Sequence, residues 1–202
     1  MKRAFLPLNQ PLDLSTEGYI GSLPITEEDW FLAEHVAHAR MSATGRRGRQ
    51  VPRDPAAQYW LELKGAIAEV VFNGYMFDLL GAGRYTENEL CISPLVHIRN
   101  DDRADLIIRD AQFDIKGSSA LVPGRSVRND RYVTISQSKV RGYTARDYAG
   151  LVLGKSYADV LDVFLYRIAS VYSWETGKAM NNRTGDYYKI AIPDFEPEAV
   201  AA

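Results

Sequence analysis

The chain has 202 residues and a formal net charge of −2, which fits one ordinary domain whose core needs no disulfide bonds. Its single cysteine, Cys91, excludes an internal disulfide and fits a reducing compartment. The apolar run near the N-terminus is too short for a signal peptide, and no run reaches membrane-spanning length. We therefore expect a cytoplasmic protein with no membrane partner, located in the host cytoplasm if a phage encodes it.

The sequence predicts one domain over residues 1–202, with three consecutive parts. Residues 1–54 are expected to form an extended arm, a helix and a basic loop, because prolines and glycines punctuate the first 25 positions. Residues 55–173 should form the core of the domain. Residues 174–202 should add an edge strand and an acidic tail that frays.

A first helix is predicted to begin after Thr26 and to run to about Met41. Thr26 is a suitable N-cap, and three acidic residues follow it in the first turn, where they favour the positive end of the helix dipole. The loop after this helix is strongly basic, since residues 40–53 hold five arginines and no acid. It is either a phosphate-binding surface or a solvated loop, and the sequence leaves both interpretations open for Arg46, Arg47 and Arg49.

A second, longer helix is predicted from Pro55 to about Leu80. Asp54 is placed to cap it, and Pro55 is tolerated at its first position because the N–H that proline lacks has no partner there. The second half of this helix is apolar nearly all round, which is typical of a helix buried on most sides.

Glu69 lies inside the apolar half of this helix. A buried carboxylate is costly unless a cation pairs with it, and a metal ion or the ammonium of Lys116 could do so. The site interpretation is favoured because an acid at this position fits the resemblance described below. The alternative is a narrow polar stripe on the helix, comprising Gln58, Glu62, Glu69 and Asn73.

Residues 103–119 carry apolar and polar residues in alternation on both sides of a polar break, which predicts a β-hairpin. With Asp110 and Ala111 as the loop, the apolar residues of the two strands meet on one face. The predicted pairs are Ile108 with Phe113, Ile107 with Asp114, Leu106 with Ile115 and Asp105 with Lys116. Two carboxylates and one ammonium, those of Asp105, Asp114 and Lys116, would then share the other face, within reach of one metal ion and one water.

This arrangement resembles the signature of the PD-(D/E)XK, or restriction-endonuclease-like, nuclease superfamily. Ala104-Asp105 is followed, after eight residues, by Asp114-Ile115-Lys116. Ala104 replaces the family's usual proline, and the second acid is aspartate rather than glutamate. The upstream helix with Glu69 resembles the family's first core helix with its glutamate. The order of elements extends the resemblance over residues 56–170.

The flanking segments predict the remaining elements. A strand broken by Pro94 is expected at residues 90–99, a third strand at 132–135, a helix at 144–158, a strand at 160–171 and an edge strand at 187–192. This order resembles the αβββαβ core of the superfamily. We therefore expect an α/β fold, specifically a three-layer restriction-endonuclease-like core with a mixed central sheet and an added N-terminal helix.

The resemblance implies a Mg²⁺-dependent nuclease that acts on DNA, with Mn²⁺ as a substitute cofactor. Glu69, Asp105 and Asp114 would be the metal ligands, and Lys116 would position the attacking water. Further contacts to nucleic acid are expected from a loop beside the site and from the polar residues that follow the third strand. These residues are Arg125, Arg128, Gln137 and Lys139.

A catalytically inactive nucleic-acid-binding or structural protein with the same fold is the alternative to a nuclease. The sequence does not distinguish DNA from RNA as the substrate, or endonuclease from exonuclease activity. It also leaves the oligomeric state open, with a homodimer among the alternatives.

Overall fold

Two helices and nine strands make up the described part of the chain in the computed structural model. The structure describes residues 4–44, 54–96, 104–118, 132–137, 149–157, 159–167, 170, 175–177 and 187–191. The helices are α1 (Glu27–Thr44) and α2 (Pro55–Gly81). The strands are β1 (Gly18–Pro24), β2 (Leu90–Ile92), β3 (Leu106–Ile108), β4 (Ala111–Gly117), β5 (Tyr132–Ser136), β6 (Ala149–Tyr157), β7 (Val160–Arg167), β8 (Glu175–Gly177) and β9 (Tyr187–Ala191).

Both helix starts follow the capping signals of the sequence. The Asp29 N–H donates to the Thr26 hydroxyl at 3.2 Å, and the Thr26 N–H donates to the Asp29 carboxylate at 2.8 Å. At α2, the Asp54 carboxylate accepts the N–H of Ala57 at 3.1 Å. Each side chain satisfies an N–H that has no partner within the helix, so both predicted starts are confirmed.

The larger sheet is mixed and has the strand order β1-β7-β6-β4-β3-β2. β4 and β6 are parallel, and the other neighbouring pairs are antiparallel. β5, β9 and β8 form a second, antiparallel sheet in that order. The predicted α/β class with a mixed sheet is therefore confirmed.

The core lies where α2 packs on the larger sheet. Phe72 and Met76 from the helix are almost completely buried, as are Leu106 and Phe113 from β3 and β4. The nearly uniform apolar character of the helix is explained by this burial, because α2 contacts both β4 and β1. No helix in the described ranges combines the length and the hydropathy that a membrane span requires.

Three predicted elements differ from the structure. Residues 18–24 form a strand paired with β7 rather than part of an extended arm. Residues 149–157 form β6 rather than the predicted helix. The strand at residues 187–191 lies between β5 and β8, so it is the centre of the second sheet and not an edge strand.

The β3–β4 hairpin forms, but its predicted register is wrong by two residues. The observed pairs are Leu106 with Phe113, Ile107 with Gln112 and Ile108 with Ala111. Arg109 and Asp110 are therefore the loop, and Arg109 has a φ of 51°. Ala111 belongs to the strand because it is buried, whereas both loop residues are exposed. A shift of two residues leaves each strand's apolar set on the same face, since the side-chain period is two.

Candidate functional site

Asp105 lies at the start of β3 and contacts β4 through both its backbone and its side chain. Its N–H donates to the Phe113 carbonyl at 2.9 Å, and its carboxylate accepts the N–H of Ile115 at 2.7 Å. Leu106 also pairs with Phe113, so Asp105 does not extend the regular ladder. Its carboxylate therefore lies against the backbone between Asp114 and Lys116.

Asp114 and Lys116 form an ion pair along β4. The Lys116 Nζ lies 2.5 Å from the Asp114 Oδ2. The Asp114 side chain is 1% exposed, whereas that of Lys116 is 27% exposed. Residues two apart on a strand share a face, which explains the contact. Asp114 and Lys116 are thus in direct contact, and Asp105 is bonded to the backbone N–H of Ile115, the residue between them.

Glu69 is paired, but its partner is Arg40 of α1 and neither a metal ion nor Lys116. The guanidinium binds both carboxylate oxygens, with Arg40 Nη1 2.9 Å from Glu69 Oε1 and Nη2 contacting Oε2. Both side chains are largely buried, at 11% and 10% exposure. The cost of burying the Glu69 carboxylate is therefore offset by a bidentate, charge-assisted contact.

Arg40 connects this pair to the loop after β2 and to the aspartates. Its Nε and Nη2 donate to the Leu95 carbonyl at 3.0 and 2.6 Å. Burial lowers the pKa of Arg40, but the hydrogen bond and charge of Glu69 outweigh it, and the charges of Glu62 and Asp105 raise the pKa further. Asp105 and Glu69 therefore act electrostatically on the same guanidinium.

Sequence reasoning did not single out Arg40 as a site residue. It counted Arg40 only as the first arginine of the basic segment, and its contact with Glu69 joins residues 29 positions apart. The available signal was Glu69 itself, because a carboxylate buried in an apolar helix requires a cation nearby.

The predicted nucleic-acid contacts fall almost entirely outside the described residues. Gln137 is described and half-buried. The others, Arg46, Arg47, Arg49, Arg125, Arg128 and Lys139, lie outside the described ranges.

The donors at this site suit a hard cation in type but do not form a three-ligand cluster. Asp105 and Asp114 supply carboxylate oxygens, which are the ligands that Mg²⁺ and Ca²⁺ prefer. Within the described ranges, however, no group of three or more histidine, cysteine, aspartate or glutamate side chains is arranged to hold a metal ion. The third expected carboxylate, that of Glu69, is held by Arg40, and the Asp114 carboxylate is paired with Lys116.

Comparison with family models, curated proteins and solved structures gives no match for this chain.

Proposed function

We propose that this chain is a divalent-metal-dependent nuclease that hydrolyses phosphodiester bonds of DNA. The observation that carries the proposal is the contact of the Asp105 carboxylate with the Ile115 N–H, between the ion-paired Asp114 and Lys116. Two acids and one ammonium therefore meet on one hairpin. Metal-assisted hydrolysis of a phosphate ester uses this combination of groups.

The order and pairing of the elements support the same proposal. α2 is followed by the antiparallel strands β2, β3 and β4, and β4 then pairs in parallel with β6. This arrangement resembles the αβββ part of the core of the restriction-endonuclease-like nucleases, in which the acidic residues lie on the corresponding hairpin, whereas the second helix of that core, expected over residues 144–158, is replaced by β6 at residues 149–157. We therefore assign the chain to that fold as part of the proposal.

Asp105 and Asp114 would hold the metal ion. An ionised carboxylate has about four lone-pair positions, so the hydrogen bond from the Ile115 N–H does not by itself exclude metal binding by Asp105. When bound, Mg²⁺ supplies charge that polarises a phosphoryl oxygen and lowers the pKa of a coordinated water.

Lys116 would orient the attacking water and neutralise negative charge that develops on the phosphate. Its side chain is 27% exposed, against 1% for that of Asp114, and its ammonium contacts the Asp114 carboxylate. Arginines of the basic loop within residues 40–53, together with Arg125 and Arg128, would bind the phosphate backbone and supply most of the affinity for DNA.

A second candidate function is supported by the ion pairs themselves. Glu69 forms an ion pair with Arg40, and Asp114 forms one with Lys116. Two of the carboxylates of the cluster are therefore neutralised by groups of the protein itself. Such a cluster is also expected in a nucleic-acid-binding or structural protein that keeps the fold without catalysis. The two functions differ in whether a divalent cation is required.

Incubation of the pure protein with labelled linear, circular and branched DNA tests the proposal. Reactions contain Mg²⁺, Mn²⁺ or EDTA, and RNA of matched sequence is the comparison substrate. We expect cleavage of DNA with either metal and none with EDTA. DNA binding without cleavage in every metal would favour the non-catalytic alternative, and the circular substrate distinguishes endonuclease from exonuclease activity.

A further inference from the structure

Ser93 follows β2 directly and holds the chain at the start of β3. Its hydroxyl donates to the Ala104 carbonyl at 2.6 Å, and its N–H donates to the Asp105 carbonyl at 3.0 Å. Ala104 is almost completely buried, and a buried carbonyl requires a donor from the protein or from water. One residue therefore fixes the two peptide groups on either side of the Asp105 Cα.

The other side of Asp105 is held by β4. The Asp105 N–H donates to the Phe113 carbonyl at 2.9 Å, and the Asp105 carboxylate accepts the Ile115 N–H at 2.7 Å. The regular ladder between β3 and β4 begins only with the pair of Leu106 and Phe113. The carboxylate thus takes the place of a backbone acceptor for Ile115, and its direction depends on how firmly the Asp105 backbone is held between β2 and β4.

The segment that carries Ser93 is itself anchored at both ends. Pro94 follows Ser93 and lacks an N–H, so it cannot continue the pairing of β2. A residue before proline favours the extended conformation, which suits the two bonds that Ser93 makes. Just beyond the proline, the Leu95 carbonyl accepts the Nε and Nη2 of Arg40 at 3.0 and 2.6 Å. Arg40 therefore fixes one end of this segment, and the start of β3 fixes the other.

We propose that Ser93 is a positioning residue for Asp105. Its hydroxyl holds the Ala104 carbonyl so that the Asp105 carboxylate stays on the Ile115 N–H. The part of Ser93 in the reaction rests on the proposed function, whereas the positioning itself is a property of the folded chain.

Three variants of the full chain separate positioning from a general contribution to stability. S93A removes the hydroxyl but keeps the N–H that binds the Asp105 carbonyl, and S93T keeps a hydroxyl donor. S22A is the matched control, because the Ser22 hydroxyl is also buried and donates at 2.7 Å, but to Asp162 on β7. Circular dichroism establishes that each variant is folded.

Amide hydrogen exchange measured by NMR tests the positioning independently of activity. The Ile115 amide reports the contact with the Asp105 carboxylate, and the amide of Val163, in a strand paired on both sides, reports general opening of the sheet. In S93A we expect the ratio of the Ile115 rate to the Val163 rate to rise about tenfold. S93T and S22A should keep this ratio within about twofold of the wild type.

An unchanged ratio in S93A would overturn the inference, because the Ser93 hydroxyl would then contribute only to general stability. An equal rise in S22A would overturn it as well. If S93A does not fold, S93C decides the question, because its thiol is a weak donor of similar size and should raise the same ratio.

Cleavage of labelled DNA by the same variants connects the positioning to the proposed function. In S93A we expect kcat to fall about tenfold with KM within about twofold, because a displaced group slows the reaction more than it weakens binding. S93T and S22A should keep kcat within about twofold. A raised exchange ratio with wild-type kcat in S93A would overturn the part of Ser93 in the reaction. No cleavage by the wild type, with the raised ratio in S93A, would instead overturn the proposed function and support the positioning.

Discussion

The two ion pairs at the candidate site differ in how far apart their partners lie in the sequence and in how exposed they are to solvent. Arg40 and Glu69 are 29 residues apart, join two helices and are both about one-tenth exposed. Asp114 and Lys116 are two residues apart on one strand, and the lysine is 27% exposed. In the first pair the guanidinium contacts both carboxylate oxygens, whereas the second pair includes a lysine side chain that is partly exposed.

This difference separates structural from chemical roles. Removing one partner of a buried pair leaves a charge without compensation in a medium of low polarity. A partly exposed lysine such as Lys116 can move toward water or a ligand at much smaller cost. We infer that Arg40–Glu69 holds the site together, and that Asp114 and Lys116 would carry the proposed hydrolysis.

The largest expected effect is on cleavage by D114N and K116M. The first variant keeps shape but removes a charge that the divalent cation needs, and the second keeps most of the stem but removes the ammonium. Each should lower the cleavage rate by about 100-fold or more. DNA affinity, measured with Ca²⁺ in place of Mg²⁺, should fall little in K116M and should not fall in D114N, because D114N reduces the repulsion of phosphate. Wild-type cleavage rates in both variants, in preparations free of contaminating nuclease, would assign these residues a structural role.

The next effect is on stability and concerns the buried pair. R40M leaves the Glu69 carboxylate unpaired and should lower the free energy of unfolding by about 3 kcal/mol or more. R40M/E69M should lose much less, because an apolar pair of similar volume replaces the buried charges. Urea denaturation monitored by circular dichroism measures both changes. Equal losses in the single and double variants would contradict the assignment of Arg40–Glu69 as a coupled structural pair.

The smallest effect on stability is expected at the exposed ion pair of Arg109 and Glu89, which serves as a reference for the buried pair of Arg40 and Glu69. Arg109 Nε lies 3.0 Å from Glu89 Oε1, and Arg109 is 59% exposed. Hydrogen bonds from the Thr86 N–H and hydroxyl, and then from Arg109, lower the pKa of Glu89 below its ordinary value of 4.5. A lowered folded-state pKa stabilises the protein above 4.5, and this contribution is lost as the pH falls through the folded-state value.

E89Q should therefore be slightly less stable than the wild type at pH 7, and the difference should disappear in acid. Thermal unfolding of both proteins from pH 7 to pH 3 measures this trend. A difference that does not depend on pH would mean that the Glu89 charge contributes nothing to stability.

Local signals predicted α2 and the neighbouring residues of the hairpin correctly. The capping carboxylate of Asp54 and the alternation of residues 106–108 and 111–117 act over a few positions, where sequence patterns are informative. The hairpin register was wrong because Asp110-Ala111 has no strong turn preference, and the burial of Ala111 decided the position of the loop.

The missed elements depend on contacts between distant segments. β1 contains Gly18, Gly21 and Pro24, which suggested an arm, but it pairs with β7 about 140 residues later. Gly21 has a φ of 153°, and a Cβ there would lie 2.6 Å from a Leu6 methyl, so the glycine allows the arm to approach. β6 lies inside the sheet between β4 and β7, where strands carry apolar runs without alternation and resemble buried helices in sequence.

The most direct test of the account is to locate Mn²⁺ by anomalous diffraction from crystals of the wild-type protein soaked with manganese. The account predicts an anomalous peak contacting carboxylate oxygens of Asp105 and Asp114, with Glu69 still bound to Arg40. A peak on Glu69 would contradict the assignment of Glu69 as the buried partner of Arg40. The absence of any peak at Asp105 and Asp114, in crystals where their carboxylates are accessible, would contradict the assignment of this hairpin as a metal-dependent active site.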